Sequence, residues 1–455
     1  MSKFPLTALA ALAFFTHASA QITPEALTTA RDEAYSDTVA LDFVESLTTE
    51  VGPRQAGTEA EGRARAWALA RLRGMGFANV RLEDYQMPTW VRGEERATLT
   101  APHPQVLAIT ALGNSGATPP DGLDGDVVGF RSLAAFEAAP DSAIAGKIVY
   151  IGHAMRRSQD GSSYGAFGPV RFTGPGRAAA RGAAAIIIRS VGTDSHRNPH
   201  TGNSNFPTGV TPIPAGAISN PDADNLERMM ARGTPIRLHL TLTPRDIGQQ
   251  PSGNVIAEVP GSDPSAGIVL IACHLDSWDL GTGAIDDAAG CAIITDAALR
   301  VAASGRPRRT IRILFAGAEE VGVWGGRDYG ARHAADNHAV ALEADFGADR
   351  VWRADFRLPD HASGVADRIS AALAPLGISR GRDAATGGAD VGAIAANGLP
   401  LVDLLQDGTR YFDLHHTPDD TFDKIDPAQL AQCVDAWAAT LAVLVNAPER
   451  LGEAE

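Results

Sequence analysis

The stretch from Ile268 to Ile294 limits what this chain can become more than any other. It opens on Ile-Val-Leu-Ile-Ala-Cys273, a short apolar run of the kind found in strands buried inside a parallel sheet. The run ends in His274-Leu-Asp276. A glycine-rich loop carrying Asp286-Asp287 follows, and Ala-Ala-Gly290 then opens a helical pattern. Ligands of open α/β sheets bind beyond the carboxyl ends of the strands. A histidine, the acids Asp276, Asp286 and Asp287, and several glycines at such an edge predict a metal site that the rest of the chain completes.

Downstream of Pro251 the pattern alternates strand and helix. Strands are predicted over 254–259, 268–273, 310–316, 338–344 and 401–405, and helices over 286–303, 325–336, 362–376 and 427–445, with Pro427 in a first helical turn. This alternation predicts an α/β fold with a mostly parallel or mixed sheet covered by helices. Upstream, Tyr35 to Thr48 and the stretch behind Thr58-x-x-Glu61, a capping-box pattern, read as helices; 79–88 and 97–100 read as strands. Near Gly113 the texture changes to Gly, Pro and Asp, a plausible domain boundary. The following short strands (126–130, 147–151, 183–188, 213–218, 236–242) and helices (177–181, 222–232) form a mixed unit with no catalytic spacing of its own.

Residues 1–20 have the form of a secretory signal: Lys3, an apolar core from Leu6 to Phe15, then Ala18-Ser19-Ala20. The core is short for a bilayer span, a retained anchor being the plainer alternative, and no later segment reads as a span. The expectation is an exported protein, periplasmic or extracellular, beginning near Gln21 and without a membrane span once the leader is removed. A net charge of −15 argues against nucleic acid as a partner. Cys273 and Cys291 read as buried small hydrophobes, with a bridge between them left open; Cys433 completes an odd set of three.

Ligand-type residues recur where strands give way to loops: His274, Asp286, Glu320, Asp345 and His416. Imidazoles and carboxylates together suit zinc or another first-row divalent ion. Five such groups exceed one open tetrahedral site and divide between two ions that share a carboxylate. Singly, each has a plainer reading. His274-x-Asp276 is also a satisfied strand-end histidine, Glu319-Glu320 a solvated helix start, Asp286-Asp287 a helix cap, and His415-His416 a surface pair. Their shared placement at the strand ends of one domain outweighs those readings.

The ordered set His274-x-Asp276, Asp286-Asp287-Ala-Ala-Gly290, Ala318-Glu319-Glu320, Glu343-Ala-Asp345 and His416-Thr-x-x-Asp420-Thr resembles the dizinc aminopeptidase and glutamate-carboxypeptidase family. Gly52-Pro-Arg54, Arg189-Ser-Val191, Pro199-His-Thr-Gly202, Tyr411-Phe-x-x-His-His416 and Gly388-x-Asp390 extend the resemblance over nearly the whole mature chain. It implies a zinc exopeptidase fold with catalytic segments at 21–113 and 245–455 and a protease-associated insert at 114–244. It implies two Zn2+ per chain: Asp286 bridging, His274 and Asp345 on one ion, Glu320 and His416 on the other. Asp276 would fix the tautomer of His274, Glu319 would be the general base acting on a metal-bridging water, and His415 would lie near the oxyanion. Trp278 and Asp390 would line a pocket for dipeptides or short peptides with a free amino terminus, Trp278 having the equal alternative of packing beneath its loop. The resemblance also implies a homodimer. Two competing readings are a non-catalytic receptor-like binding protein and a single-zinc glutaminyl cyclase on related scaffolds.

Overall fold

The parallel strands that end in the predicted ligands lie side by side. In the computed structural model, which describes residues 39–452 other than Asn397, the strands in chain order are β1 (Ala78–Val91), β2 (Glu95–Ala101), β3 (Gln105–Leu107), β4 (Ile109–Ala111), β5 (Leu123–Phe130), β6 (Ile148–Ile151), β7 (Ala185–Arg189), β8 (Ala215–Ile218), β9 (Arg237–Leu242), β10 (Arg245–Val259), β11 (Ile268–His274), β12 (Thr310–Ala316), β13 (His338–Glu343), β14 (Val351–Arg357), β15 (Ser379–Arg380) and β16 (Leu401–Gln406). The leader read at 1–20, and the first residues of the helix read at 35–48, lie outside the described residues.

The main sheet has the order β1-β10-β12-β11-β13-β16-β14-β15. Its centre, β12-β11-β13-β16, is parallel, and antiparallel strands flank it. From β11 the chain adds β12 on one side and then crosses to β13 on the other, so the strand order reverses at β11. Such a switch point opens a crevice at the carboxyl edge of the sheet. β11 and β12 are buried along nearly their whole length, which is why they read as continuous apolar runs rather than alternating ones. The helices Ala289–Ser304 and Pro427–Asn446 pack on each other over this sheet, and Trp437 is fully buried between them and the sheet.

The helix Pro427–Asn446 has the length and apolarity of a membrane span, a property the sequence reading did not grant it. About two thirds of it is buried against the protein, so it serves as a core helix. Asp426 caps it, accepting from the backbone N–H groups of Ala428 and Gln429. The predicted capping box is shifted by one residue: Thr58 accepts from Glu61 N, but the Glu61 carboxylate reaches Gly57 N at 2.7 Å.

A second sheet has the order β3-β2-β9-β5-β6-β7-β8-β4. It begins at β2, so the change of sheet falls before Glu95 rather than near Asn114, because the polar turn at 114–122 joins strands of this same sheet. Strand β14 escaped the sequence reading altogether; it is short, antiparallel to β16, and carries Arg353, Asp355 and Arg357. The two units share one apolar core, in which Ile186 and Ile188 of β7 continue the cluster that holds Val269, Ile271 and Ile293.

Cys273 and Cys291 form a disulfide, against the reading of both as free buried hydrophobes. The first turn of the helix Ala289–Ser304 returns beneath the end of β11, which brings the two sulfurs together. Cys433 is free and buried.

Candidate metal centre

His274 is the last residue of β11, Glu319-Glu320 follow β12, Asp345 follows β13, and His415-His416 follow β16 after the short helix Tyr411–Leu414. Common strand direction therefore delivers all of them to one edge. Asp286 reaches the same place from the loop after β11, through non-helical backbone (φ −135°, ψ 83°) and a cis peptide to Asp287.

Asp286 lies between the two histidines. Its Oδ1 is 3.0 Å from His274 Nε2, and its Oδ2 is 3.3 Å from His416 Nε2. Asp345 Oδ1 stands 3.4 Å from His274 Nε2, and Glu320 Oε2 stands 2.9 Å from His416 Nε2. His274 and Asp345 thus lie on one side of the Asp286 carboxylate, and Glu320 and His416 on the other. His415 is stacked on His416, with ring centroids 3.5 Å apart, and among the described residues the carboxylate it approaches is that of Asp286, at 3.7 Å.

The hydrogen bonds at the outer ring nitrogens show what the inner ones face. His274 Nδ1 donates to the carbonyl of Asp276 at 3.0 Å, and His416 Nδ1 lies 3.2 Å from the Thr201 carbonyl, an acceptor, and 3.2 Å from Arg171 Nη1, a donor. With Nδ1 as the donor, the neutral form of each ring points an Nε2 lone pair at carboxylate oxygens, which also only accept. Asp286 Oδ2 and Glu320 Oε1 are buried and have no hydrogen-bond partner. Convergent acceptors without a donor fit a cation on each side of Asp286.

Electrostatics agree. Burial, with the charges of neighbouring carboxylates, pushes Asp287, Glu319, Glu320 and Asp345 above the usual carboxylate range. Burial acts the same way on Asp286, but the His274 and His416 rings beside it reverse the effect and hold this carboxyl well below its usual value. Burial pulls His274 down, yet Asp345, Asp276 and Asp286 raise it well above the ordinary imidazole value. Positive charge placed among these groups relieves the repulsion.

Asp276 contributes differently from the expectation. Its main-chain carbonyl, not its carboxylate, makes the short contact to His274; the carboxylate oxygen is 3.7 Å away and instead accepts from Glu319 N at 3.1 Å. Asp276 thereby ties the strand-end histidine to the turn that carries Glu319. That turn has Ala318 at φ 56° and Val323 at φ 57°, and His416 sits at φ 61°. Left-handed backbone at residues with a β-carbon costs of order 1–3 kcal/mol each and collects at functional sites. Asp287 is fully buried and accepts from His274 N and Gly290 N.

Trp278 does not line an open pocket. It is 3 % exposed and packs edge-on to Trp90 and against Gly113, with its ring 5.9 Å from that of His416. Asp390 is buried with no partner on either carboxylate oxygen, and burial with the charges of Glu343 and Glu319 raises it well above the usual range. Glu343 braces the loop beside it, accepting from Ala389 N and Val391 N.

Several residues that hold the site were noticed only as parts of motifs or, in the case of Arg171, not at all. Arg54, fully buried, donates to the carbonyls of Leu275, Thr282 and Gly283, clamping the loop between His274 and Asp286. Asp420 accepts from Ala284 N and Ile285 N, both at 2.7 Å, and so fixes the approach to Asp286. Thr201, His200 and Arg171 come from the second unit, where the sequence reading saw no catalytic spacing.

Residues 254–441 match the model of peptidase family M28. Carboxypeptidase Q of Bos taurus is 34 % identical over 409 residues, covering 89 % of this chain and 85 % of the relative, and carboxypeptidase Q of Homo sapiens is 32 % identical over 408 residues, with the same coverage. The chain belongs to peptidase family M28. The solved structure of a peptidase M28 precursor from Shewanella amazonensis SB2B is similar to it throughout, at 44 % identity, TM-score 0.92, and coverage of 94 % of this chain and 98 % of that one. The M28 fold extends to a zinc aminopeptidase from Bacillus subtilis, 19 % identical, which superposes with TM-score 0.65 over 90 % of this chain and 95 % of its own.

Proposed function

We propose that this M28 peptidase is an exported dizinc exopeptidase that hydrolyses dipeptides or short peptides with a free amino terminus. The observation that carries the reading is the position of Asp286, one carboxylate oxygen toward His274 and the other toward His416. His274 and Asp345 would hold one ion, and Glu320 and His416 the other, with Asp286 shared. A cation pair, when bound, polarises the scissile carbonyl and makes a water nucleophilic near neutral pH.

The chain's own residues do the rest. Glu319 sits beside Glu320 on a turn fixed by Asp276, and it takes the proton of the attacking water and returns it to the leaving amine. Burial and the adjoining His416 hold the pKa of His415 well below the imidazole value, and its ring would donate to the developing oxyanion. Asp390 and Glu319 put two buried carboxyls at one end of the site, and a protonated amino terminus beside them would favour their charged forms. The name carboxypeptidase Q among its relatives and the residue motifs both support peptide bonds as the substrate. The receptor-like alternative calls for an incomplete ligand set, and the proximity of His274, Asp345, Glu320 and His416 to Asp286 or to one another speaks against it.

Incubation of zinc-loaded protein with free dipeptides and their amino-blocked counterparts tests this reading. Free amino acids are expected from the unblocked set alone. Cleavage of blocked and free peptides at equal rates removes the amino-end preference, and no cleavage of either removes the hydrolase. A glutaminyl peptide in the same panel distinguishes cyclisation from hydrolysis by product.

A further inference from the structure

The second unit reaches into the centre through His416. The Nδ1 of this ring meets the Thr201 carbonyl at 3.2 Å, and the chain closes the pairing with Thr201 N donating to the His416 carbonyl at 3.0 Å. Next to it, His200 is buried with Nδ1 2.6 Å from the His415 carbonyl and Nε2 2.6 Å from Asp194 Oδ1. Both partners accept, so each ring nitrogen is placed to donate. Asn220 holds the same Asp194 oxygen at 3.0 Å. A chain of contacts therefore runs from Asn220 and Asp194 through His200 to the backbone of the His415-His416 pair.

Arg171 stands behind the same ring. It is 2 % exposed and donates to the Thr201 carbonyl at 3.3 Å and to the Tyr164 hydroxyl. Its Nη1 is 3.2 Å from His416 Nδ1. Among the described residues no carboxylate lies within ion-pair distance of it. Burying a guanidinium without an acid is costly, and an apolar side chain would fill the space at less cost if packing were the only need. Gly202, at φ 133°, leaves the room: a β-carbon there would overlap the guanidinium. Tyr164 completes the wall, stacked on Phe412 with centroids 4.9 Å apart and edge-on to His415.

We propose that Thr201, His200 and Arg171 are positioning residues of the metal centre, through which the second unit fixes the tautomer and place of His416 and so sets the affinity of the ion shared by Asp286, Glu320 and His416. The inference rests on the two-metal reading above. Its signature is asymmetry, because His274 and Asp345 take no contact from these residues.

The test measures both zinc dissociation constants by competition with a chromophoric chelator, together with kcat and KM, in His200→Gln, Arg171→Met and Arg171→Lys. Near-ultraviolet circular dichroism of the metal-free proteins checks the fold, and three variants at two positions guard against one failing to fold. The expected result is a loss of about 10–100-fold at one of the two zinc sites with the other unchanged, a fall in kcat rather than a rise in KM, and partial recovery in Arg171→Lys over Arg171→Met. Equal weakening of both sites, or wild-type values at both in folded variants, overturns the inference. If the wild type binds fewer than two ions, the two-metal reading itself has failed and this inference with it; if the wild type binds two and only the variants are silent, the reading stands without it.

Discussion

At the scale of single residues, Glu319 and the histidine pair carry the sharpest consequences. Glu319 neighbours a ligand yet makes no ligand contact itself, so Glu319→Gln should keep its zinc and lose turnover by about 10²–10⁴-fold, the usual worth of a general base. Elemental analysis beside steady-state kinetics checks both halves, and an active Glu319→Gln protein would reassign the base. His415 and His416 are adjacent and stacked, but only His416 touches two carboxylates. His416→Ala should therefore lose one equivalent of zinc while His415→Ala keeps both and turns over more slowly; equal metal loss in the two variants would make His415 a ligand. These residues were legible in the sequence because each ends a strand and strand direction is shared. The partner of each outer ring nitrogen was not legible. Thr201 is joined to His416 across more than two hundred residues by a backbone carbonyl, and a carbonyl leaves no mark in a sequence. The same reason hid which atom of Asp276 meets His274: it is the main-chain carbonyl.

At the scale of elements, the buried parallel strands were found where predicted because strands covered on both faces read as unbroken apolar runs. β14 was lost because Arg353, Asp355 and Arg357 break up its apolar residues. The edge of the second sheet was misplaced because the polar turn at 114–122 looks like a boundary although it only joins two of its strands. The disulfide was undecidable from spacing, since it depends on how the helix Ala289–Ser304 comes back under β11. It ties the strand that ends in His274 to the helix that follows Asp286-Asp287, closing a loop with a sequence separation of 18. Removing it in a Cys273→Ala, Cys291→Ala double variant should cost about 3 kcal/mol by the loop-closure argument. Denaturant unfolding of the two proteins measures this, and an unchanged midpoint would mean that packing alone holds the strand to the helix.

At the scale of the whole molecule, the fold gathers negative charge around one point and leaves it to cations to balance. The cost falls on the metal-free protein and depends on pH. Burial pushes Glu61 up to about 7, Asp420 to about 7, with the Asp286 charge adding to it, and Glu343 to about 8, with the Asp345 charge adding to it. A carboxyl whose pKa is raised on folding binds more protons folded than unfolded across the interval between the two values. Stability therefore falls as pH rises through that interval. For these groups the window opens near the ordinary carboxylate range and closes at about 7–8. The metal-free protein should unfold at progressively lower temperature from pH 6.5 to pH 8; below pH 6.5 the histidines held below the imidazole value, His338, His415 and His416, act in the opposite sense. Bound zinc acts in the opposite sense, because its ligands must be deprotonated and its charge offsets theirs, so the increase in midpoint on adding zinc should be larger at pH 8 than at pH 5. Thermal unfolding at pH 5, 6.5 and 8, with chelator or with zinc, measures both trends. A metal-free midpoint that stays level or climbs from pH 6.5 to pH 8 would show that the buried acids do not share one low-dielectric site, and the geometry around Asp286 would then need another explanation than a pair of cations.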